Sequence, residues 1–176
     1  MEKKLKNRFF SAAIVGTVFV AVLTSASFVT ADPGKTTGTT LPAGLFLKAA
    51  PPNAIDVGAA RKAAEEGKPI VIRGRIGGTA KPIADKYAMF LVTDLSLALC
   101  KDGCADFCQM PREQLTANTA AIQVVDNTGR PLKVSIEGVN GLKPLTEVVV
   151  QGTVAKRDNN FLVINAQSIF VDSNAK

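Results

Sequence analysis

The pattern of apolar and polar residues changes at Pro69. From this residue onward, apolar side chains recur at every second position over several short runs. A period of two is typical of a half-buried β-strand, because successive side chains point to opposite faces of the sheet. Strands are therefore predicted at 69–76, 88–93, from 122, at 132–136, at 147–155, at 161–164 and at 168–171. Asn127-Thr128-Gly129 predicts a hairpin turn that leads into the strand at 132–136.

A short helix is predicted ahead of these strands. We expect Asp56 to cap its N-terminus, alanines to favour helix as far as Glu66, and Gly67 to end it. The preceding residues, 32–53, are rich in proline and glycine and predict a flexible leader. The folded domain is therefore expected at 54–172.

Two of the predicted strands carry a glycine in the middle of their apolar alternation, Gly74 and Gly152. Glycine weakens a strand, so at such a position it usually marks a bulge, a sharp bend or a close approach of another backbone. Bent strands allow a short sheet to close on itself. Five or six strands of this kind predict a small closed barrel.

The stretch 147–171 resembles the last two strands of an OB-fold, with 70–76 and 88–94 as strands one and two. The resemblance implies an all-β fold: a five- to six-stranded OB-fold Greek-key barrel with a short N-terminal helix and a long Cys-bearing loop after strand two. The stretch 69–171 is also similar to exported single-domain OB-fold proteins of unknown function from planctomycete-type bacteria. In that family a Cys-bearing insertion precedes an Ile-Gln-Val-Val-Asp strand, matched here by 122–126.

This resemblance implies fold and export but no activity. The family's insertion is expected to carry more cysteines and a tryptophan, whereas this chain has three cysteines and no tryptophan. The departure means that no fixed metal stoichiometry carries over from the family.

The N-terminal residues 1–31 predict a signal peptide. A basic start is followed by the apolar run 12–23 and by the small residues Val29-Thr30-Ala31, so cleavage near Ala31 and export to the periplasm or the medium are expected. An uncleaved segment would instead tether the protein to the membrane. The segment carries four basic residues and one acidic residue, so its removal lowers the formal charge from +6 to +3.

All three cysteines lie in the predicted insertion 95–117, as Cys100, Cys104 and Cys108. One interpretation is a disulfide, Cys100–Cys108 or Cys104–Cys108, that holds a loop with little core. A second is a site for a soft metal ion, Zn²⁺ or Cu(I). The even spacing would place the three sulfurs near one face if the loop were helical. A third is thiol redox chemistry.

The three cysteines would supply three soft ligands to a soft metal ion, and another group could fill a further position. The residues that could supply a further ligand are Asp102, Asp106 and Met110, or a water molecule. The chain has no histidine, which excludes Ser-His-Asp and Cys-His catalysis as well as His-ligated zinc. We therefore expect a non-enzymatic binding or structural module whose partner is an unknown small ligand, a metal ion or an extracytoplasmic protein.

Oligonucleotide or polyanion binding on the barrel face is the alternative function, because barrels of this type combine basic grooves with aromatic rings on which bases stack. The residues that would serve it are Arg73, Arg75, Lys86, Tyr87, Lys156 and Arg157. Ordinary solvated strand faces explain the same residues, given the modest charge and few aromatic residues.

Overall fold

The computed structural model describes residues 40–100 and 103–172. The strands of this part are β1 (Phe46–Leu47), β2 (Ile55–Asp56), β3 (Pro69–Ile76), β4 (Met89–Thr93), β5 (Thr119–Gln123), β6 (Glu147–Arg157) and β7 (Leu162–Asp172). Its helices are α1 (Val57–Ala63), α2 (Arg112–Ala117) and a single 3-10 turn at Val139–Gly141. The predicted signal peptide, 1–31, lies outside the described residues.

Five strands close into a barrel. β3 pairs antiparallel with both β4 and β6, β4 pairs antiparallel with β5, and β6 pairs antiparallel with β7. The ring is completed by β5 and β7, which run parallel to each other. Two short extra strands are added to this ring, β1 parallel to β7 and β2 parallel to β3. The prediction of an all-β barrel of five to six strands with a short N-terminal helix is confirmed.

The core lies inside this ring, because the period of two sends alternate side chains inward from every strand. Each barrel strand supplies at least one side chain with no exposed surface: Ile72, Val92, Ile122, Val150 and Ile164. Burial of each such side chain stabilises the fold by about 1.5–3 kcal/mol.

Both strand glycines lie where another group comes close. A Cβ on Gly74 would overlap the side chain of Val92 on the neighbouring strand. A Cβ on Gly152 would overlap the carbonyl oxygen of Asn165, at a point where the register between β6 and β7 shifts. The glycines therefore permit the close strand packing that a small barrel needs.

The predicted helix cap is wrong. Asp56 makes no capping hydrogen bond and instead pairs with Arg73, whose Nε lies 2.6 Å from its Oδ1. The cap comes from Asp94, at the end of β4, whose Oδ2 accepts a hydrogen bond of 2.6 Å from the Gly58 N–H. The helix also ends at Ala63, three residues before the predicted end.

The strand predicted at 132–136 is wrong as well. Leu132 and Ile136 are buried, but they lie in loop, and the hairpin is reduced to an isolated bridge between Val125 and Pro131. Pro131 has no N–H to continue a ladder, which explains why pairing stops there. In contrast, the pieces predicted at 161–164 and 168–171 form one continuous strand, β7.

The position of the Cys-bearing loop needs a correction. It was expected after strand two, whereas it follows β4, the fourth strand along the chain. The difference arises because β1 and β2 form ahead of the barrel, in a region predicted as leader and helix start. β1 forms because the Ile169 N–H donates a hydrogen bond of 2.7 Å to the carbonyl oxygen of Leu45.

Candidate metal site

The loop between β4 and β5 carries the cysteines and packs against the barrel through a pair of glycines. The Gly78 N–H donates a hydrogen bond of 2.7 Å to the carbonyl oxygen of Ala105. Beside it, the ring of Phe107 lies so close that a Cβ on Gly77 would come within 2.7 Å of its Cε2. Gly77 and Gly78 therefore form the surface on which the cysteine loop rests.

Phe107 holds the loop in place. Its side chain is only 1% exposed, although it belongs to a loop. Its backbone adopts a φ of 53°, in the left-handed region that a bulky residue avoids at a cost of about 1–2 kcal/mol. Burial of the ring offsets this cost. The resulting sharp turn sets the directions of the residues on either side, Asp106 and Cys108.

Turns, and not a helix, bring the cysteines together. The chain from Cys100 to Cys108 has no helical residues among those described, and α2 begins only at Arg112. The sulfurs therefore do not converge on one face of a helix, as the even spacing suggested.

The three sulfurs and one carboxylate form a compact cluster. The Sγ atom of Cys108 lies 3.8 Å from that of Cys100 and 3.8 Å from that of Cys104. With a carboxylate oxygen of Asp106, the four donor atoms all lie within 4.8 Å of one another. The cysteines are free thiols at these distances. The cluster Cys100, Cys104, Asp106 and Cys108 is therefore placed so that it could hold a metal ion.

One oxygen of Asp106 lacks a partner among the described residues. Its Oδ1 is buried, and no hydrogen-bond donor reaches it there. A buried carboxylate oxygen without a partner costs about 1–3 kcal/mol or more, because it has lost water without gaining a bond. This oxygen is therefore open to a cation or to a water molecule.

Hydrogen bonding within the cluster displaces the thiol pKa values in opposite directions. The hydrogen bond with Cys104 lowers the pKa of Cys100. The same bond, together with the one to the Asp106 carboxylate, raises the pKa of Cys104 to about 12. The hydrogen bond with Cys100 raises the pKa of Cys108. Cys100 is thus the first of the three thiols to ionise, and binding of a metal ion by all three as thiolates is accompanied by proton release.

A cleft of about 550 Å³ opens beside the cluster. Its floor is the outer face of β4 and β5, represented by Leu91 and Ala121, and its far wall is Phe161 in the turn between β6 and β7. Asp106 and Cys108 form part of the near wall. Two of the four candidate ligands therefore face the cleft.

The two other residues predicted as metal ligands are Asp102 and Met110. Asp102 lies outside the described residues. Met110 lies one turn beyond the cluster, with its N–H donating 2.9 Å to the carbonyl oxygen of Phe107, and it lines the cleft as well as a smaller cavity of about 260 Å³ behind the loop.

The basic residues suggested for polyanion binding are for the most part engaged with protein partners. Arg73 pairs with Asp56 at 2.6 Å, and Arg75 pairs with Glu147 at 2.7 Å.

Farther along the barrel, Lys156 lies 3.2 Å from Asp158 and 5.8 Å from the ring centre of Phe161. The Arg157 guanidinium donates to the carbonyl oxygens of Arg61 and Lys62 in α1. Tyr87 is exposed in the turn before β4, next to Lys86 in the chain. The ion pairs of Arg73, Arg75 and Lys156 reduce the charge available to a polyanion, and the contacts of Arg157 with α1 occupy its donors.

Sequence reasoning missed two groups that shape the site. These are the glycine pair Gly77-Gly78 and the side chain of Phe107. The available signal was that Phe107 is the single aromatic residue of the loop 95–117.

No family model and no curated protein matches this chain significantly. Within the described residues, neither helix is long and apolar enough to cross a membrane.

Proposed function

We propose that the chain is an exported, non-enzymatic binding module of the OB-fold type that holds a zinc ion on Cys100, Cys104, Asp106 and Cys108. The observation that carries the proposal is the convergence of these four donors within 4.8 Å. Sulfurs that stand about 2.3 Å from a tetrahedral zinc ion are about 3.8 Å apart. This matches the separation of both sulfur pairs that include Cys108.

The donor set favours Zn²⁺ over Cu(I). Cu(I) prefers soft thiolate and thioether donors, whereas zinc accepts thiolates and a carboxylate in the same tetrahedral site. A carboxylate oxygen of Asp106 is part of the cluster, and the buried Oδ1 of the same residue has no hydrogen-bond partner among the described residues. Ca²⁺ and Mg²⁺ bind through oxygen donors, so a site with three sulfurs does not suit them.

The barrel supports the binding role. The strand order, in which the first barrel strand pairs with the second and fourth and the third pairs with the fifth, is a Greek-key arrangement. Barrels of the OB type hold ligands on the face of strands two and three and between the loops that flank it. The cleft beside the cluster occupies that face. Export rests on the signal-like sequence 1–31 and on the family resemblance.

Zinc binding to the reduced, metal-free chain tests the proposal. We expect one zinc ion per chain by equilibrium dialysis. We expect Cys104→Ser and Cys108→Ser each to weaken binding at least 100-fold, because each removes a thiolate that the ion needs. Asp106→Asn should weaken it less, since the amide keeps one oxygen donor.

Asp85→Asn is the matched control. Asp85 is an exposed aspartate that lies 3.9 Å from Lys81 and takes no part in the cluster. Its loss should leave zinc affinity unchanged. Equal affinities for wild type and the two serine variants would refute the proposed site.

A further inference from the structure

We propose that the metal site takes a small thiol as an exchangeable ligand from the cleft side, with the thiolate replacing the Asp106 carboxylate on the metal and the apolar body of the thiol lying in the cleft. The proposal rests on the proposed metal site. It starts from the fact that only Asp106 and Cys108, of the four donors, line the 550 Å³ cleft. A ligand in the cleft can therefore reach the metal from that side alone.

Asp106 is the donor most easily replaced. It offers oxygen in a site where the other three donors are thiolates, and soft metal ions hold sulfur more firmly than a single carboxylate oxygen. Cys108 also faces the cleft, but its sulfur stands 3.8 Å from both other sulfurs and completes the thiolate set. Exchange at Asp106 leaves that set intact.

The exchange is balanced in atoms and charge. The incoming thiol releases its proton to solvent, its sulfur forms a bond to the metal, and the bond between the metal and the Asp106 oxygen breaks. One anionic ligand replaces another, so the total charge of the ligand set does not change. No oxidant or reductant takes part.

The cleft has the size and lining for a small apolar ligand. Small-molecule sites are typically about 300–1,000 Å³, and this cleft falls within that range. Apolar groups dominate its walls: Leu91, Leu115, Ala121, Phe161 and Leu162.

The cleft also carries one residue of each charge and an exposed aromatic ring. Arg112 is the one basic residue among those that line it, and Asp106 is the one acidic residue. Phe161, 57% exposed at the rim, offers a ring surface on which an aromatic body can pack.

The test uses the full-length reduced chain loaded with Co²⁺, which replaces Zn²⁺ and makes the ligand set visible by absorption. Thiolate-to-cobalt charge-transfer bands must appear before any thiol is added. If they do not, the proposed metal site itself is wrong.

Phenylmethanethiol is then titrated, with 2-mercaptoethanol and phenylmethanol as comparison ligands. We expect phenylmethanethiol to raise the charge-transfer intensity by about a third, as three thiolates become four, with the tetrahedral visible bands retained. We expect half-saturation at a concentration at least tenfold below that of 2-mercaptoethanol, because only the former buries an apolar ring. Phenylmethanol should give no charge-transfer change.

Phe161→Ala tests the cleft without touching the metal cluster. It should leave cobalt binding unchanged and weaken phenylmethanethiol binding about threefold to tenfold. Tyr87→Ala removes an exposed aromatic side chain that does not line the cleft, and it should leave phenylmethanethiol binding unchanged. Cobalt bands that are present but unaltered by the thiol, or that vanish as the thiol strips the metal, would overturn the inference. An equal response from wild type and Phe161→Ala would overturn the role of the cleft.

Discussion

Replacing Phe107 with alanine should release the cysteine loop from the barrel while the barrel stays folded. The Phe107 ring is 1% exposed and is the largest buried side chain of the loop. Its burial contributes about 1.5–3 kcal/mol to the packed state of the loop. Since about 1.4 kcal/mol corresponds to a factor of ten, the population of the open loop should rise about 10- to 100-fold.

The cysteines report this opening directly. Cys100 is 9% exposed in the packed loop, whereas Cys108 is exposed. Alkylation of the reduced, metal-free protein by iodoacetamide, followed by mass spectrometry of each cysteine peptide, therefore measures both states in one sample. We expect the rate at Cys100 to rise about 10- to 100-fold in Phe107→Ala, in proportion to the open population. The rate at Cys108 should change little.

Phe161→Ala is the matched control, because this phenylalanine lies at the rim of the same cleft but is 57% exposed. It should alter neither rate. An unchanged Cys100 rate in Phe107→Ala would refute the role assigned to Phe107. Loss of the cooperative unfolding transition of the barrel would refute the separation between loop and barrel.

Three further changes test other parts of the structure. Gly77→Ala should speed Cys100 alkylation and lower the free energy of unfolding by about 1–3 kcal/mol, because the added Cβ would come 2.7 Å from the Phe107 ring. An unaltered midpoint of urea unfolding would contradict this. Burial raises the pKa of Asp94, but hydrogen bonds from Ser96 and Gly58 outweigh burial and leave that pKa lowered. Asp94→Asn should therefore lower the free energy of unfolding by about 1.5–3 kcal/mol at pH 7. The difference should shrink as the pH falls below the ordinary value of 3.8 and through the lowered folded value, and a deficit that does not depend on pH would contradict the argument. Zinc affinity should increase as the pH rises from 6 to 8, because the pKa of Cys104 is about 12 and zinc must displace its proton. The increase should be up to about tenfold per pH unit for each proton displaced. Isothermal titration calorimetry in two buffers of different ionisation enthalpy would count the protons released.

The barrel could be predicted because its signals are local. A period of two marks each inward-facing row, and the mid-strand glycines mark the close approaches at Gly74 and Gly152. The helix cap could not be predicted in this way. Asp56 had the right sequence position, yet Arg73 on the adjacent strand β3 binds it, and Asp94 reaches Gly58 across 36 positions of sequence. Choosing between two carboxylates required the tertiary structure.

The candidate site, likewise, could be predicted from the sequence only in part. Clustering of the cysteines in sequence pointed to Cys100, Cys104 and Cys108, and Asp106 stood close enough to be proposed with them. The way in which the sulfurs converge could not be foreseen, because it depends on Phe107, which adopts a left-handed conformation and packs against Gly77 from another loop. The cleft, formed by elements far apart in the chain, was beyond sequence reasoning for the same reason.

The central claim, that the three cysteines and Asp106 hold a zinc ion, is tested most directly by the native mass of the protein recovered from its own host, combined with a count of free thiols. The account predicts the mass of one zinc ion per chain and three alkylatable cysteines once the metal is removed. A mass lower by two hydrogens, with no metal and one free thiol, would instead show a disulfide and contradict the claim.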